Sequence, residues 1–254
     1  MFFLVNLMLF FIVFVYGVCI GSFLNVVIYR VPNGISIAKG RSYCPKCNQK
    51  IKNYDLIPIL SYILLKGKCR NCKEAISMRY PLIELFTGLI AVITFIARGF
   101  SLEAVIIFLI AAILIAIAMI DFDTMTIPNE LIIAIVPLAL VMAYLQNDIS
   151  IISRVIAFFE ISIPMIMLNC FVQDSFGGGD VKLISVCGIM LGWQNTLLAM
   201  FIAILIGGFY AIYLLVSGKS KKGAHIAFGP YICIGVYMAM IYGNEIINIY
   251  LNLF

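Results

Sequence analysis

Eight apolar runs, at roughly 4–28, 81–98, 102–120, 129–146, 150–171, 181–194, 196–217 and 226–245, constrain this chain more than any other feature. A helix that spans the hydrocarbon of a bilayer needs about 20 mainly apolar residues, so most of these runs are long enough to cross. In lipid every backbone polar group must be satisfied internally, and a helix does this within one segment. The chain therefore reads as an all-α polytopic membrane protein with about eight transmembrane helices. Of 254 residues, 64% are hydrophobic and 11% charged, with a mean hydropathy of +1.12. That balance excludes an ordinary soluble globular domain. The weakest span is 181–194, which is short and contains Gly188 and Gly192. The first run has no positive residue before it and no small-residue cleavage site, so it is expected to be a retained helix rather than a signal peptide.

Lysine and arginine set the orientation. Of the 17, 11 lie between Arg30 and Arg79, and Lys219, Lys221 and Lys222 cluster between the last two runs. The positive-inside rule puts both segments in the cytoplasm. Counting spans from there puts the N-terminus outside and places the 121–128 and 173–180 connections on the cytoplasmic side as well. The expected organisation is a transmembrane helix over 1–30, a polar, basic, cysteine-bearing loop over 31–80 and a seven-helix membrane core over 81–254. Within the loop, the apolar stretch from Leu56 to Leu65 is too short to span; it is expected in the interface or packed on the loop. No internal repeat is evident.

Four of the eight cysteines form two CxxC pairs, Cys44-Pro45-Lys46-Cys47 and Cys69-Arg70-Asn71-Cys72. Each such turn presents two thiolates to one ion, and two turns complete a tetrahedral zinc site of structural type, with all four positions filled by protein. Two disulfides are the competing reading, which a cytoplasmic location disfavours. Lys46, Arg70 and Lys73 are expected to offset the thiolate charge. Cys19, Cys170, Cys187 and Cys233 lie in apolar runs and read as small core residues.

Two carboxylates stand out against this apolar background: Asp121, closing the run to Ile120, and Asp180, closing Gly177-Gly178-Gly179 before another run. Ionisable groups near the hydrocarbon are costly and mark functional sites by default. Two carboxylates brought together in a low-dielectric cleft share a proton, leaving one base to activate water and one acid to protonate the scissile carbonyl oxygen or the departing amine. Three successive glycines allow positive φ and close approach of another chain. Asp123 reads as a boundary charge and Asp174 as a loop charge, although Asp121, Asp123, Asp174 and Asp180 together would form an acidic mouth for a basic peptide.

These residues, together with others along the chain, closely resemble the type IV prepilin peptidases, the prepilin leader peptidase/N-methyltransferases. The resemblance rests on Gly21-Ser22-Phe23-Leu24-Asn25-Val26-Val27-Ile28-Tyr29-Arg30, the two CxxC pairs, Arg79-Tyr80-Pro81-Leu82-Ile83-Glu84, and Ile120-Asp121 followed by Ile127-Pro128-Asn129. It continues through Gly177-Gly178-Gly179-Asp180-Val181-Lys182-Leu183 and Phe228-Gly229-Pro230-Tyr231, in family order over almost the whole chain. Ala227 and Phe176 depart from the pattern, where proline and methionine are often found.

The resemblance implies a GxGD-type membrane aspartic protease with Asp121 and Asp180 as its catalytic pair and Gly177, Gly178, Gly179 and Lys182 in the active-site loop. It implies cleavage of the basic leader from prepilins or pseudopilins at the cytoplasmic face, typically after glycine. Methylation of the new N-terminus by S-adenosylmethionine would follow. Asn25, Arg30 and Glu84 would support function, the partners are the substrates and the bilayer, and nucleic acid is not expected. The cysteine pairs mark the long, bifunctional form.

Several residues also have plainer readings. Asn25 is expected to hydrogen-bond across a helix interface that Gly21 and Ser22 open to close approach. Glu84 reads as an interfacial carboxylate paired with Arg79 or Lys182, and His225 as a solvated loop residue. A proton-coupled transporter is a rival, opposed by the cytoplasmic placement of both aspartates and by the lack of an obvious mid-span acid on a through-path. A non-catalytic scaffold organised by the cysteine module is another.

Overall fold

The computed structural model describes residues 2–172, 176–218 and 226–253; Asp174, Lys219, Lys221, Lys222 and His225 lie outside the described residues. The chain divides into two compact units, Met1–Phe108 and Leu109–Phe254.

The first unit is built on α1 (Phe2–Arg30) and α3 (Arg79–Arg98). Small residues let the two helices approach. A Cβ on Gly21 would lie 2.8 Å from Glu84 Cα, and one on Gly17 would lie 2.8 Å from both Ala91 Cβ and Gly88 Cα. Asn25 Nδ2 donates to the Tyr80 carbonyl at 3.2 Å, the expected bond across the interface. Thr87 and Thr94 stay dry because each hydroxyl donates one turn back, to Ile83 and Ile90. Between the helices lies the cysteine loop, with a 3₁₀ turn over Asn53–Leu56 and the short α2 (Leu60–Leu64).

The second unit contains α5 (Asn129–Leu145), α6 (Ile151–Glu160), α7 (Ser162–Phe171), α8 (Gly178–Val216) and α9 (Gly229–Leu251), together with most of α4 (Leu102–Thr124). Ser150 caps α6 by accepting from Ser153 N–H at 3.2 Å. The longest helix is two crossings joined tip to tip. At about 1.5 Å per residue, its 39 residues would extend roughly 58 Å, nearly twice a hydrocarbon core. The break falls at Gly192, whose φ of 72° and ψ of 168° are not helical.

Gly192 has no room for a side chain, since a Cβ would lie 2.8 Å from Ile149 Cγ2 and 2.9 Å from Ser153 Oγ. Arg154 caps the end of the first arm, donating to the Ile189 carbonyl at 2.8 Å and the Gln146 carbonyl at 2.7 Å. Trp193 N–H starts the second arm by donating to Ser153 Oγ. The arms double back: the ring of Phe228 lies 5.6 Å from that of Phe176, just before the first arm, and beside Gly207 of the second.

Six helical segments are long and apolar enough to cross a membrane, counting Ile151–Phe171 as one, and Asn129–Leu145 is a shorter apolar helix. With α8 counted as two crossings, the eight expected spans are all present, the weak one included. Their ends differ from the sequence expectation by up to six residues, the most at α9, which runs on to Leu251. The difference that matters is at α4, which continues to Thr124, so that Asp121 lies in its last turn rather than beyond it.

Candidate functional site

Asp121 and Asp180 meet in the second unit. They are 4% and 7% exposed and lie within electrostatic reach of each other. Three segments converge on them: the end of α4 with the loop after it, the glycine run that starts α8, and Phe228-Gly229 at the start of α9. Ile127 in the loop ties the three together. A Cβ on Gly179 would lie 2.7 Å from Ile127 Cβ, and one on Gly229 would lie 3.1 Å from Ile127 Cδ1. Phe176 and Phe228 stack across the gap between the second and third segments.

Each carboxylate is held by one backbone amide. Gly229 N–H donates to Asp121 Oδ2 at 3.0 Å, a buried bond across 108 positions of sequence. Gly177 N–H donates to Asp180 Oδ2 at 3.2 Å, with Asp180 in the first turn of α8 reaching back as half of a capping box. Asp180 Oδ1 is buried with no hydrogen-bond partner among the described residues. A carboxylate oxygen left bare beside a second carboxylate is what a bound water or substrate carbonyl would meet. Cys233 of α9, expected as a core residue, is buried within electrostatic reach of both.

The glycines are needed at different atoms. Gly229 must be glycine, because a Cβ there would lie 2.6 Å from Asp121 Oδ2. Gly179 must be glycine against Ile127, whereas a Cβ on Gly178 would meet nothing within 4 Å. Asn169 of α7 fixes the approach to the run. Its side-chain oxygen accepts from Phe176 N–H at 2.9 Å and its amide donates to the Phe176 carbonyl at 3.0 Å. Lys182 donates to Asn129 Oδ1 at 3.0 Å, tying α8 to α5 just behind the aspartates. Of the expected acidic mouth, Asp123 is exposed and Asp174 lies outside the described residues.

The four cysteine sulfurs of the loop gather within 4.8 Å of one another, an arrangement that can hold one metal ion, and all four thiols are free. Their backbone is a duplicated knuckle that the sequence did not reveal. Cys44 N–H bonds the Gln49 carbonyl and Asn48 N–H the Cys44 carbonyl; Cys69 with Glu74 and Lys73 with Cys69 repeat the pattern. Asn48 and Lys73 take matching positive φ, 55° and 61°, and the bridges Tyr43 to Lys50 and Lys68 to Ala75 close the two turns. The amide of Gln49 and the Asn71 side chain lower the Cys47 thiol to about 7, toward the thiolate that binds metal. Arg70 was expected to offset thiolate charge. It instead holds Asp55 through two bonds of 2.8 and 2.6 Å, which lowers the carboxyl below its usual range.

The supporting residues all act on the first unit's own structure. Arg30 is buried and its guanidinium donates to the carbonyls of Ser36, Lys39, Gly40 and Arg41, folding the loop back over the end of α1. Glu84 accepts from Ile59 N–H at 2.7 Å. Lys182 bonds Asn129 within the second unit. The sequence reading also missed Glu160. It stands near the middle of the Ile151–Phe171 span, where α6 breaks to α7, with one buried oxygen unpartnered among the described residues. A lone glutamate in an apolar run was the available signal.

Known proteins resemble this chain along most of its length. Residues 15–98 match the family model described as the bacterial peptidase A24 N-terminal domain, and residues 106–212 that of the type IV leader peptidase family. A prepilin leader peptidase/N-methyltransferase of Bacillus subtilis (strain 168) is 32% identical over 242 residues, covering 95% of this chain and 98% of that protein. Proteins of the same name from Aeromonas hydrophila and Pseudomonas aeruginosa are 32% and 29% identical, over 96% and 93% of this chain and 94% and 91% of their own lengths. No solved structure matches the chain.

Proposed function

The chain belongs to the type IV leader peptidase family, and from that premise we propose that Asp121 and Asp180 are the catalytic pair of a membrane aspartic endopeptidase that removes the basic leader of prepilins or pseudopilins. The observation that carries this reading is the burial of the two carboxylates within electrostatic reach of each other, with Asp180 Oδ1 unpartnered among the described residues. Each aspartate has one oxygen fixed by a backbone amide, from Gly229 or Gly177, so the two side chains are oriented before substrate arrives. One carboxylate takes a proton from a water as it attacks the scissile carbonyl carbon, and the other gives its proton to the carbonyl oxygen. The tetrahedral intermediate then collapses, the C–N bond breaks, and the departing amine takes up a proton from the pair. The pair titrates as a unit, and the roles belong to it jointly.

The site stands at the start of α8's first arm. That arm, 178–191, is roughly 21 Å long at about 1.5 Å per residue, shorter than the hydrocarbon of about 30 Å. A glycine-rich start at that depth supports a wet recess within the membrane's thickness. The lysine and arginine distribution supports the cytoplasmic face for both this recess and the cysteine loop. In this reading helix 1–30 carries the loop 31–80, and the segment 81–254 holds the hydrolytic pair.

The names of the relatives support a second step, methylation of the new N-terminal amine, for which S-adenosylmethionine would supply an electrophilic methyl group. The described residues contain no β-strand beyond isolated bridges, so a glycine-rich strand-turn-helix does not frame its site. Cys44, Cys47, Cys69 and Cys72 would hold a structural zinc. The 3.9 Å between the Cys44 and Cys72 sulfurs fits a tetrahedral site, whose edge is about 3.8 Å for Zn–S bonds of about 2.3 Å. Elemental analysis should find about one zinc per chain, falling well below that in Cys69→Ser; undiminished zinc in the variant would exclude the tetrathiolate site.

The reading as a whole is tested by adding a prepilin and S-adenosylmethionine to inverted membrane vesicles carrying the chain, and weighing the products. Loss of the leader and gain of one methyl group are expected, with no processing when the same prepilin is added to right-side-out vesicles. No processing in either orientation, across several prepilins, would overturn it.

A further inference from the structure

The cysteine loop carries an apolar surface that neither the metal site nor the hydrolytic pair explains. Leu56, Ile57, Leu60, Ile63 and Leu64 are all exposed, up to 78% at Leu64. Leu60, Ile63 and Leu64, at intervals of three and four, form a stripe on one face of α2, and Leu56 and Ile57 are exposed just before it. Lys50 and Lys52 precede the stripe and Lys66 and Lys68 follow it, and all four are exposed. An apolar stripe flanked by lysines is the pattern of a segment lying in the plane of an anionic membrane surface.

Depth supports the same reading. Ile59, at the start of α2, donates its N–H to Glu84. Glu84 lies five residues into α3, roughly 7.5 Å along a helix that is itself long and apolar enough to cross the bilayer. The stripe is therefore pinned to α3 at the level where that helix enters the membrane, rather than out among the knuckles. Ile59 has a φ of 60°, a conformation that a β-branched residue adopts only when its surroundings impose it. In this conformation its amide reaches Glu84 of α3, while Leu60 and Leu64 stay exposed.

We propose that residues 53–65 are an interfacial anchor whose leucine and isoleucine stripe enters the acyl boundary of an anionic leaflet, with the flanking lysines on the headgroups and Glu84 as the tether that sets its depth. The anchor holds the cysteine module against the membrane surface through a second attachment besides the ends of α1 and α3. The lysines supply the charge complementarity that favours lipid over a second copy or a substrate helix on this face.

Trp193 is the only tryptophan, so a Trp193→Phe background makes an introduced tryptophan the sole reporter. The intact chain, reconstituted in vesicles of brominated phosphatidylcholine with an anionic lipid, is compared in two variants. Leu64→Trp reports on the stripe, and Ile37→Trp on an exposed position of the loop that Arg30 folds back. Tryptophan at 64 is expected to lose roughly half its emission or more to the brominated chains and to resist aqueous iodide, with the reverse at 37. Adding Glu84→Ala should bring position 64 to the behaviour of 37 while about one zinc per chain is retained, and Glu84→Gln, which keeps an acceptor oxygen, should restore the quenching.

Iodide quenching at 64 without bromolipid quenching would overturn the anchor, leaving the stripe in water. Protection from both quenchers would overturn it in favour of a protein cover. Unchanged bromolipid quenching in Glu84→Ala would remove the tether from the proposal.

Discussion

Asp121→Asn and Asp180→Asn should each lose leader cleavage by on the order of a thousandfold or more, and the double variant should be scarcely worse than either single one. The expectation of non-additivity follows from the shared proton: one carboxylate without its partner provides a base without an acid, so removing the second removes little more. Both variants should still fold. Asparagine keeps a side-chain oxygen, so the amide introduced at position 180 can still accept from Gly177 N–H and the one at position 121 from Gly229 N–H, the bonds that give each aspartate its structural role. The change therefore separates chemistry from capping. Cleavage rates measured by mass spectrometry, with zinc content as a check on folding, distinguish this from independent roles, for which the two losses would multiply.

Gly229→Ala should lower cleavage about a hundredfold while leaving the fold intact, the scale on which a small misplacement of a catalytic group is felt. The new Cβ would lie 2.6 Å from Asp121 Oδ2 and 3.0 Å from its Cγ, so the carboxylate must swing away from the amide that orients it. The opposite side offers no relief, because Ile127 Cδ1 lies 3.1 Å from the same Cβ. Gly178→Ala is the contrasting substitution. It lies in the glycine run itself, two residues before Asp180, but its Cβ meets nothing within 4 Å and should cost much less. If Gly178→Ala proved the more damaging, the motif would act through the flexibility of its backbone rather than through the space it leaves. The loss in Gly229→Ala should fall on kcat rather than KM, since what is displaced is the reacting group.

The parts of this architecture legible in the sequence were those encoded locally. Spans are visible because lipid demands an unbroken apolar run, and even the weak span over 181–194 emerged as the first arm of α8, ended at the Gly192 that had made it look doubtful. The cysteine cluster was legible because each CxxC pair fixes its two ligands within one turn. That Asp121 and Asp180 meet was an expectation resting on resemblance, since nothing local connects positions 59 apart; packing on Ile127 brings them together.

What the sequence hid were bonds from side chains to the backbone. Glu84 was sought opposite a cation but is satisfied by the amide of Ile59, and Arg30 by four carbonyls with no motif in common. The knuckle repeat escaped for a related reason: Pro45-Lys46 and Arg70-Asn71 share no residues, and the duplication lies in hydrogen bonds and φ angles. Glu160 stands in the middle of an apolar run, whereas the aspartates that carry the site stand at run ends, where charge is cheaper.

The central claim, that Asp121 and Asp180 act together on one tetrahedral intermediate, is tested most directly by binding a prepilin peptide whose scissile amide is replaced by a hydroxyl-bearing tetrahedral carbon. Such an analogue should compete with prepilin more than a hundredfold better than the parent peptide, as transition-state mimics do by roughly 10²-fold or more. Asp121→Asn and Asp180→Asn should each erase that advantage while binding the parent peptide as the intact chain does. An analogue held no more tightly than the peptide, or one whose advantage survives in either variant, would contradict the claim.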